Sequence, residues 1–184
     1  MNEIVEVYSK EELYSLFPKN GVGAELGVCQ GNNALLLYNC AQPLSLYLID
    51  IWEKDELTYK HHPPRLYYDD WMIMVRNKLP HDNVHLVKQD SISWLNSIPD
   101  DFLDWIYIDS SHTYDHVRVE YSKAIKKVKK GGIISGHDFY CHPTAWKTAV
   151  IRAVLNQVQN NNLLLTHITS NHEITSVMGI NTKQ

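Results

Sequence analysis

The stretch GAELGVCQGNN, at residues 23–33, carries residue types that suit a ligand at the end of a strand. Its carboxylate is Glu25, and its glycines after the strand are Gly27 and Gly31. Glycine lacks a Cβ atom, so the chain can bend tightly there and a ligand can lie against the backbone. A helix beginning near Asn32 would add free N–H groups. The stretch predicts a strand-to-helix turn beside a nucleotide-like ligand, although tight packing of the turn alone would also use these glycines.

Polar side chains also follow four later apolar runs that have the length of a strand. They are Asp50, Asp90 with Ser91, Asp109, and His137 with Asp138. The carboxyl ends of parallel strands meet at one edge of an open sheet, where such sheets bind their ligands. One such residue alone is often only a helix cap. Together with Glu25, the series marks five strand ends with an acid and predicts one shared site.

Two of these strand ends suggest contacts with a nucleoside. Asp50 lies about 20 residues beyond the glycine turn, a spacing typical of the acid that holds ribose hydroxyls in nucleotide-binding sheets. Asp90 and Ser91 could receive an adenine amino group, or they could cap a short helix. The dinucleotide fingerprint G-x-G-x-x-G is not matched, because Gly21 and Gly23 precede or begin the strand. The mismatch points away from a dinucleotide.

The elements that must position these residues alternate along the chain. Apolar runs of strand length are separated by segments of helical period, which indicates a parallel sheet with crossover helices. We predict strands at 22–27, 44–50, 84–88, 103–109, 132–137, 163–169 and 173–180, and helices near 10–17 and at 31–40, 65–79, 91–97, 113–130 and 144–160. The last two strands have no helix between them and should form a hairpin. The pattern predicts a mainly parallel seven-stranded sheet with one antiparallel strand.

Composition favours one soluble α/β domain over residues 1–184. Apolar residues make up 44% of the chain, and no apolar run reaches the roughly 18 residues that cross a bilayer, so a membrane partner is not expected. The N-terminus lacks the pattern of a secretory signal and the three cysteines lack a CxxC spacing, which together indicate a cytoplasmic protein. The net charge is −4 and the basic cluster at 123–132 suits a helix C-terminus, so nucleic acid is not favoured.

Two segments lie outside this regular alternation. Residues 1–20 are expected to form an N-terminal helical extension of the domain. Residues 52–64 have neither the apolar spacing of a strand nor that of a helix, and they end in a Pro-Pro pair. This predicts a loop that is either a lid or a plain connection. Little of the chain lies beyond the core fold, so acceptor recognition should depend on these segments or on a second copy of the chain in a homo-oligomer.

The strand-end motifs resemble those of class I S-adenosylmethionine-dependent methyltransferases. AELGVCQGNN is similar to their glycine-rich first motif, LYLID to their acidic second motif and VKQDS to their adenine-contacting segment. YIDSSHTYDHV followed by GGIISGHDF resembles most specifically the Methyltransf_24-like subfamily, which contains small-molecule and sugar O-methyltransferases. The resemblance covers roughly residues 20–180. It implies a Rossmann-like fold with helices on both faces of the sheet.

The resemblance also implies a cofactor and a role for each strand end. S-adenosylmethionine would be the methyl donor, and a small molecule, most simply through a hydroxyl oxygen, would be the acceptor. Glu25, Gly27, Gly31 and Asn32 would border the methionine part of the cofactor, Asp50 would bind the ribose, Asp90 and Ser91 would flank the adenine, and Asp109 would lie beside the transferring methyl group.

The catalytic step leaves two alternatives open. His112 or His137 could act as the base that removes the acceptor proton. Asp109, His137 and Asp138 could instead hold Mg²⁺ or Mn²⁺, as the corresponding acids do in metal-dependent relatives. Two other functions compete with methyl transfer: a nucleotide-dependent oxidoreductase, and a non-catalytic domain that keeps the cofactor pocket.

Overall fold

The computed structural model describes residues 3–53, 68–139, 149–161, 163–169 and 177–180. Beyond Glu53, the lid predicted at 52–64 lies outside these residues and stays a prediction. Within the described part of the chain, no helix is long and apolar enough to cross a membrane.

Every predicted strand and helix has a counterpart in the structure. The strands are β1 (Val5–Val7), β2 (Val22–Leu26), β3 (Ser45–Asp50), β4 (Val84–Lys88), β5 (Leu103–Ile108), β6 (Val128–Gly136), β7 (Leu164–Thr169) and β8 (Val177–Ile180). The helices are α1 (Lys10–Ser15), α2 (Asn32–Ala41), α3 (Tyr68–Lys78), α4 (Ser91–Ser97), α5 (Tyr114–Lys127) and α6 (Ala149–Asn160). The alternation of strand and helix periods therefore located the elements correctly.

The strands form one sheet in the order β1-β7-β8-β6-β5-β2-β3-β4. β8 runs antiparallel to both of its neighbours, and the other described pairs are parallel. The predicted number of seven strands is wrong, because β1 adds an eighth at the edge by pairing with β7. Strand order reverses between β2 and β5, where Gly23 pairs with Trp105. That switch point is where a Rossmann-like sheet binds its ligand.

One predicted boundary is corrected in the second half of the chain. The helix predicted at 113–130 ends at Lys127, and β6 begins with Val128. Val128 is fully buried and pairs with Leu103 of β5, so burial of this valine in the sheet stops the helix. The pairing register between β5 and β6 then shifts before Trp105 pairs with Ile133, and Gly131 in this irregular stretch has a positive φ of 79°.

Apolar side chains cover both faces of the sheet, as β5 shows. Ile106 and Ile108 pack in a cluster with residues of α4, α5 and α6. Trp105 and Tyr107, which alternate with them, pack in a second cluster with residues of α1, α2 and α3. Because successive side chains of a strand point to opposite faces, helices cover the sheet on both sides.

Four side chains of the N-terminal segment pack into the second of these clusters: Val7, Leu13, Tyr14 and Phe17. Leu13, Tyr14 and Phe17 are buried. The Tyr14 ring meets Tyr107 edge-on with centroids 5.3 Å apart, and Phe17 meets Trp105 at 5.1 Å. These contacts hold α1 beside β5 and place Lys10, the first residue of α1, near the carboxyl ends of the central strands.

Candidate active site

The glycine turn packs tightly against the end of β5. Gly27 has a φ of 85°, and a Cβ atom there would lie 2.1 Å from the main-chain oxygen of Asp109. Gly31 has a φ of 78° at the N-cap of α2, and its Cβ would lie 2.9 Å from Val75 Cγ2. Packing within the chain therefore requires both glycines, whatever a cofactor adds. Their contact with the cofactor stays a prediction.

Asp50 ties the glycine turn to the end of β3. Its Oδ2 accepts hydrogen bonds from the backbone N–H groups of Val28 at 2.9 Å and Cys29 at 2.8 Å. Its Oδ1 accepts from the N–H of Trp52 at 2.8 Å, and the buried Trp52 indole donates to the Cys29 carbonyl oxygen. A carboxylate accepts about four hydrogen bonds, so capacity remains for the predicted ribose contact.

Glu25 is a fully buried acid with an incompletely satisfied carboxyl group. Asn33 Nδ2 donates to its Oε1 at 2.9 Å, while Oε2 has no hydrogen-bond partner among the described residues. Burial raises the pKa of Glu25 to about 8, although the Asn33 hydrogen bond favours the ionised form. This carboxyl group fits a cationic ligand, because a cation would supply the missing partner.

The same asparagine joins Glu25 to a lysine. Asn33 Oδ1 accepts hydrogen bonds from Tyr14 Oη at 2.8 Å and from Lys10 Nζ at 3.2 Å. Lys10 Nζ also lies 5.7 Å from the centroid of the Tyr107 ring. Burial lowers the pKa of Lys10, and the negative charges of Asp109, Glu25 and Asp138 oppose that shift. The site therefore contains a cation close to its acids.

Sequence reasoning missed Lys10 and Asn33 for different reasons. Lys10 precedes the first core strand, so an argument from strand ends does not reach it. Asn33 directly follows Asn32, which was predicted as a cofactor contact, and a helical turn that begins there presents neighbouring residues in different directions. Asn32 itself accepts a hydrogen bond from Lys78 at 2.5 Å.

Asp90 and Ser91 play structural parts at the end of β4. Asp90 is the N-cap of α4, and its Oδ2 accepts from the Ser93 N–H at 2.8 Å. Ser91 is buried, and its hydroxyl donates to Glu120 Oε1. The capping role considered for Asp90 is therefore present, and the adenine contacts of both residues stay predictions.

Glu120 gathers a polar cluster beneath this strand end, which sequence reasoning also missed. Its Oε1 accepts hydrogen bonds from the hydroxyls of Ser91 and Ser110 and lies 3.2 Å from His116 Nε2. Its Oε2 has no hydrogen-bond partner among the described residues. The hydrogen bond to Glu120 raises the pKa of His116 despite partial burial. A charged residue on the buried face of α5 was the available sequence signal.

All four predicted catalytic or metal-binding residues meet at the ends of β5 and β6. Asp138 Oδ2 lies 2.6 Å from His112 Nε2 and 3.2 Å from His137 Nδ1. Asp109 Oδ1 lies 3.7 Å from His137 Nδ1 and 3.9 Å from His112 Nε2. With Val117, Tyr121 and Val150, these four residues line one cleft. His112 lies in the loop before α5, and its side chain is half-exposed.

The charges of this cluster are strongly coupled. Burial alone would raise the pKa of Asp138, but the hydrogen bonds from His112 and His137 outweigh burial and hold it well below its usual value. The hydrogen bond between His112 and Asp138 also raises the pKa of His112. Burial raises the pKa of Asp109 to about 6, with the charge of His137 opposing. Asp138 therefore stays an anion that can orient and stabilise a protonated histidine.

A subset of this cluster has the spacing of a metal site. Asp109, His137 and Asp138 each offer one ligand atom, and these atoms lie within 4.8 Å of one another. Carboxylate oxygens and an imidazole nitrogen suit several divalent cations, Mn²⁺ among them.

Comparison with known proteins agrees with the fold. A family model described as a methyltransferase domain matches residues 24–139. Among solved structures, the cofactor-bound protein Rv0187 from MTB aligns with a TM-score of 0.69 at 13% identity, over 100% of this chain and 84% of that one. An rRNA methylase from Streptococcus thermophilus aligns with a TM-score of 0.63 at 11% identity, over 94% of each chain.

A third solved structure contains a methyl donor. Aeropyrum pernix fibrillarin, in complex with natively bound S-adenosyl-L-methionine, aligns with a TM-score of 0.59 at 12% identity, over 89% of this chain and 67% of that one. At these identities the structures show a shared fold. Comparison with curated protein sequences finds no match.

Proposed function

We propose, from the premise that this chain belongs to the methyltransferase-domain family and is an S-adenosylmethionine-dependent methyltransferase, that it methylates a hydroxyl oxygen of a small molecule with His112 as the base. Membership of this family selects methyl transfer over the oxidoreductase and the non-catalytic domain considered from the sequence. The acceptor class, the atom methylated and the base are the new parts of the proposal.

The described residues fit the proposed cofactor at its amino-acid end. Glu25 Oε2 is buried without a hydrogen-bond partner in the described part of the chain, and burial raises the pKa of this carboxyl group to about 8. An ammonium group, such as that of the methionine part, would supply a hydrogen-bond donor and a positive charge there. When bound, the cofactor's sulfonium supplies the methyl group as an electrophile.

The observation that carries the proposal is the 2.6 Å contact between His112 Nε2 and Asp138 Oδ2 inside the cleft. With its Nε2–H donating a hydrogen bond to Asp138 Oδ2, the imidazole of His112 keeps a lone pair on Nδ1 that can accept a proton from an acceptor hydroxyl. Asp138 then stabilises the imidazolium. His137, 3.2 Å from the same carboxylate, is the other histidine placed to take this role.

A divalent cation is a second candidate for activating the acceptor. The cluster of Asp109, His137 and Asp138 supports it, because their ligand atoms lie within 4.8 Å of one another. Mg²⁺ or Mn²⁺ bound there would orient two acceptor oxygens and lower the pKa of one. In that case Asp138 would serve the cation, and His112 would contribute by holding the Asp138 carboxylate in place.

The charge of the site supports a small-molecule acceptor. Asp109 and Asp138 place acidic groups at the ends of the central strands, and the whole chain carries a net charge of −4. Such a field repels the phosphates of a polynucleotide. The Streptococcus thermophilus neighbour is named as an rRNA methylase, so RNA belongs among the acceptors tested.

Transfer of a radiolabelled methyl group from S-adenosylmethionine tests the proposal. We expect incorporation with hydroxylated small molecules such as catechols or sugars and none with total RNA. His112→Gln should lower the rate by about 10²- to 10⁴-fold. His85→Gln is the control, because His85 is exposed on β4 and lies beside Ser45. Labelled RNA in place of labelled small molecules would overturn the acceptor class.

A chelator separates the two activation mechanisms. Activity that is unchanged by EDTA supports the histidine base. Activity that EDTA abolishes and Mn²⁺ or Mg²⁺ restores would instead assign Asp109, His137 and Asp138 to a cation.

A further inference from the structure

Lys10 reaches the proposed cofactor site from outside the part of the chain that matches the family. It is the first residue of α1, whereas the match begins at residue 24. Its Nζ nevertheless donates to Asn33 Oδ1 at 3.2 Å, and Asn33 belongs to the helix that follows the glycine turn. The N-terminal segment thus contributes a charged group to a site whose other residues come from strand ends.

Asn33 places this cation close to a carboxyl group. Its Nδ2 donates to Glu25 Oε1 at 2.9 Å, while its Oδ1 accepts from Lys10. The Asn33 amide is therefore hydrogen-bonded to Glu25 through its nitrogen and to Lys10 through its oxygen. Tyr14 Oη donates to the same oxygen at 2.8 Å and fixes the orientation of the amide.

An acid and a lysine side by side match the two charges of an α-amino acid. The methionine part of S-adenosylmethionine ends in an ammonium and a carboxylate on one carbon. Glu25 has an unpartnered buried oxygen for the ammonium, as argued above. We propose that Lys10 binds the carboxylate, so that the N-terminal segment completes the amino-acid end of the cofactor site. This inference rests on the proposed use of S-adenosylmethionine.

The packing of α1 makes Lys10 a defined part of the site. Leu13, Tyr14 and Phe17 are buried and hold the helix against the sheet. Lys10 itself is partly buried, and removal from water disfavours its charged form. A carboxylate bound at Nζ would offset that cost, because it supplies both an opposite charge and a hydrogen-bond acceptor.

Calorimetry with three ligands tests the role of Lys10 without requiring turnover. The ligands are S-adenosylhomocysteine, its decarboxylated analogue, and 5′-methylthioadenosine, which lacks the amino-acid end. Lys10→Met should weaken S-adenosylhomocysteine binding by about 10- to 100-fold and leave the affinities of the other two ligands nearly unchanged. Lys10→Arg should restore most of the loss, because it keeps the charge.

Lys19→Met is the matched control. Lys19 lies in the same segment, is exposed and donates to the Cys40 carbonyl oxygen, so its loss should leave all three affinities unchanged. Circular dichroism and thermal unfolding establish that each variant is folded.

Each outcome separates this inference from the proposed function. Equal losses for all three ligands in Lys10→Met would show a structural role, and unchanged binding of S-adenosylhomocysteine would show no role; either overturns the inference alone. A wild-type protein that binds neither S-adenosylhomocysteine nor its analogues would overturn the proposed cofactor itself.

Discussion

Gly27 faces the main-chain oxygen of Asp109 so closely that a Cβ atom on residue 27 would lie 2.1 Å from that oxygen. This contact joins the glycine turn to the end of β5, where Asp109 lines the cleft. It is reinforced by the Asp109 N–H, which donates to the Leu26 carbonyl oxygen at 2.8 Å. The position of Asp109 therefore depends on the absence of a side chain at residue 27.

Gly27→Ala should lower both stability and activity. The new methyl group must displace the end of β5, and an L-residue is strained at a φ of 85°, so we expect a loss of more than about 2 kcal/mol in the free energy of unfolding. Gly131→Ala is the control, because its φ is 79° but nothing lies within 4 Å of the added Cβ. Urea unfolding measures the free energy of unfolding of both variants, and methyl transfer measures the activity. Similar losses in the two variants would contradict the steric argument.

The buried carboxyl of Glu25 should make stability fall as pH rises. Burial raises its pKa to about 8 in the folded chain, against an ordinary value of 4.5 for a glutamate in water. The folded state thus binds the proton more tightly, and this contribution is complete below pH 4.5 and lost as pH rises to about 8. Glu25→Gln removes the titration, so its unfolding free energy should change less between pH 5 and pH 8. If the unfolding free energies of variant and wild type change with pH in parallel, Glu25 is not the origin of the pH dependence.

Cofactor binding should release a proton from Glu25. At pH 7 a carboxyl group with a pKa of about 8 is mainly protonated, and an ammonium placed against it favours ionisation. Calorimetry of S-adenosylhomocysteine binding in buffers of different ionisation enthalpy should show proton release by the wild type and less by Glu25→Gln. The release should disappear at pH 9, where Glu25 is already ionised. Buffer-independent heats at pH 7 would refute the pairing.

Asp138→Asn should impair methyl transfer more than it impairs folding. The amide keeps the shape of the side chain but removes the charge that holds His112 and stabilises its protonated form. We expect the rate constant to fall by at least about 10²-fold, with S-adenosylhomocysteine affinity little changed. Asp115→Asn, at an exposed position in the first turn of α5, is the control. A rate equal to wild type would remove Asp138 from the mechanism.

Glu120→Gln tests the polar cluster beneath the end of β4. Glu120 Oε1 accepts hydrogen bonds from Ser91 and Ser110 in a fully buried setting, and an amide that keeps its oxygen there must bury its NH2 group where Oε2 has no partner among the described residues. We expect a loss of about 1–3 kcal/mol in the free energy of unfolding. If Ser91 also borders the adenine, the affinity for 5′-methylthioadenosine should fall too, and calorimetry measures this separately from stability.

The sequence by itself determined where the helices and every strand except β1 lie, and which edge of the sheet carries the acidic side chains. The spacing of apolar residues located every predicted element, because the side chains that must be buried recur every two residues in strands and every three to four in helices. The acids after successive strands then had to meet, because parallel strands end at one edge. Asp109, His137 and Asp138 were grouped on this basis, and the structure places them together.

Tertiary structure alone decided how these side chains are used. Pairing of β1 with β7, which made eight strands rather than seven, joins residues more than 150 positions apart in the chain. Long-range packing likewise carried Lys10 to Asn33, set Asp138 between two histidines, and turned Ser91 toward Glu120. A local pattern shows which residues are polar or buried. The partner of each polar group depends on side-chain directions and on segments distant in sequence, and only the folded chain brings these together.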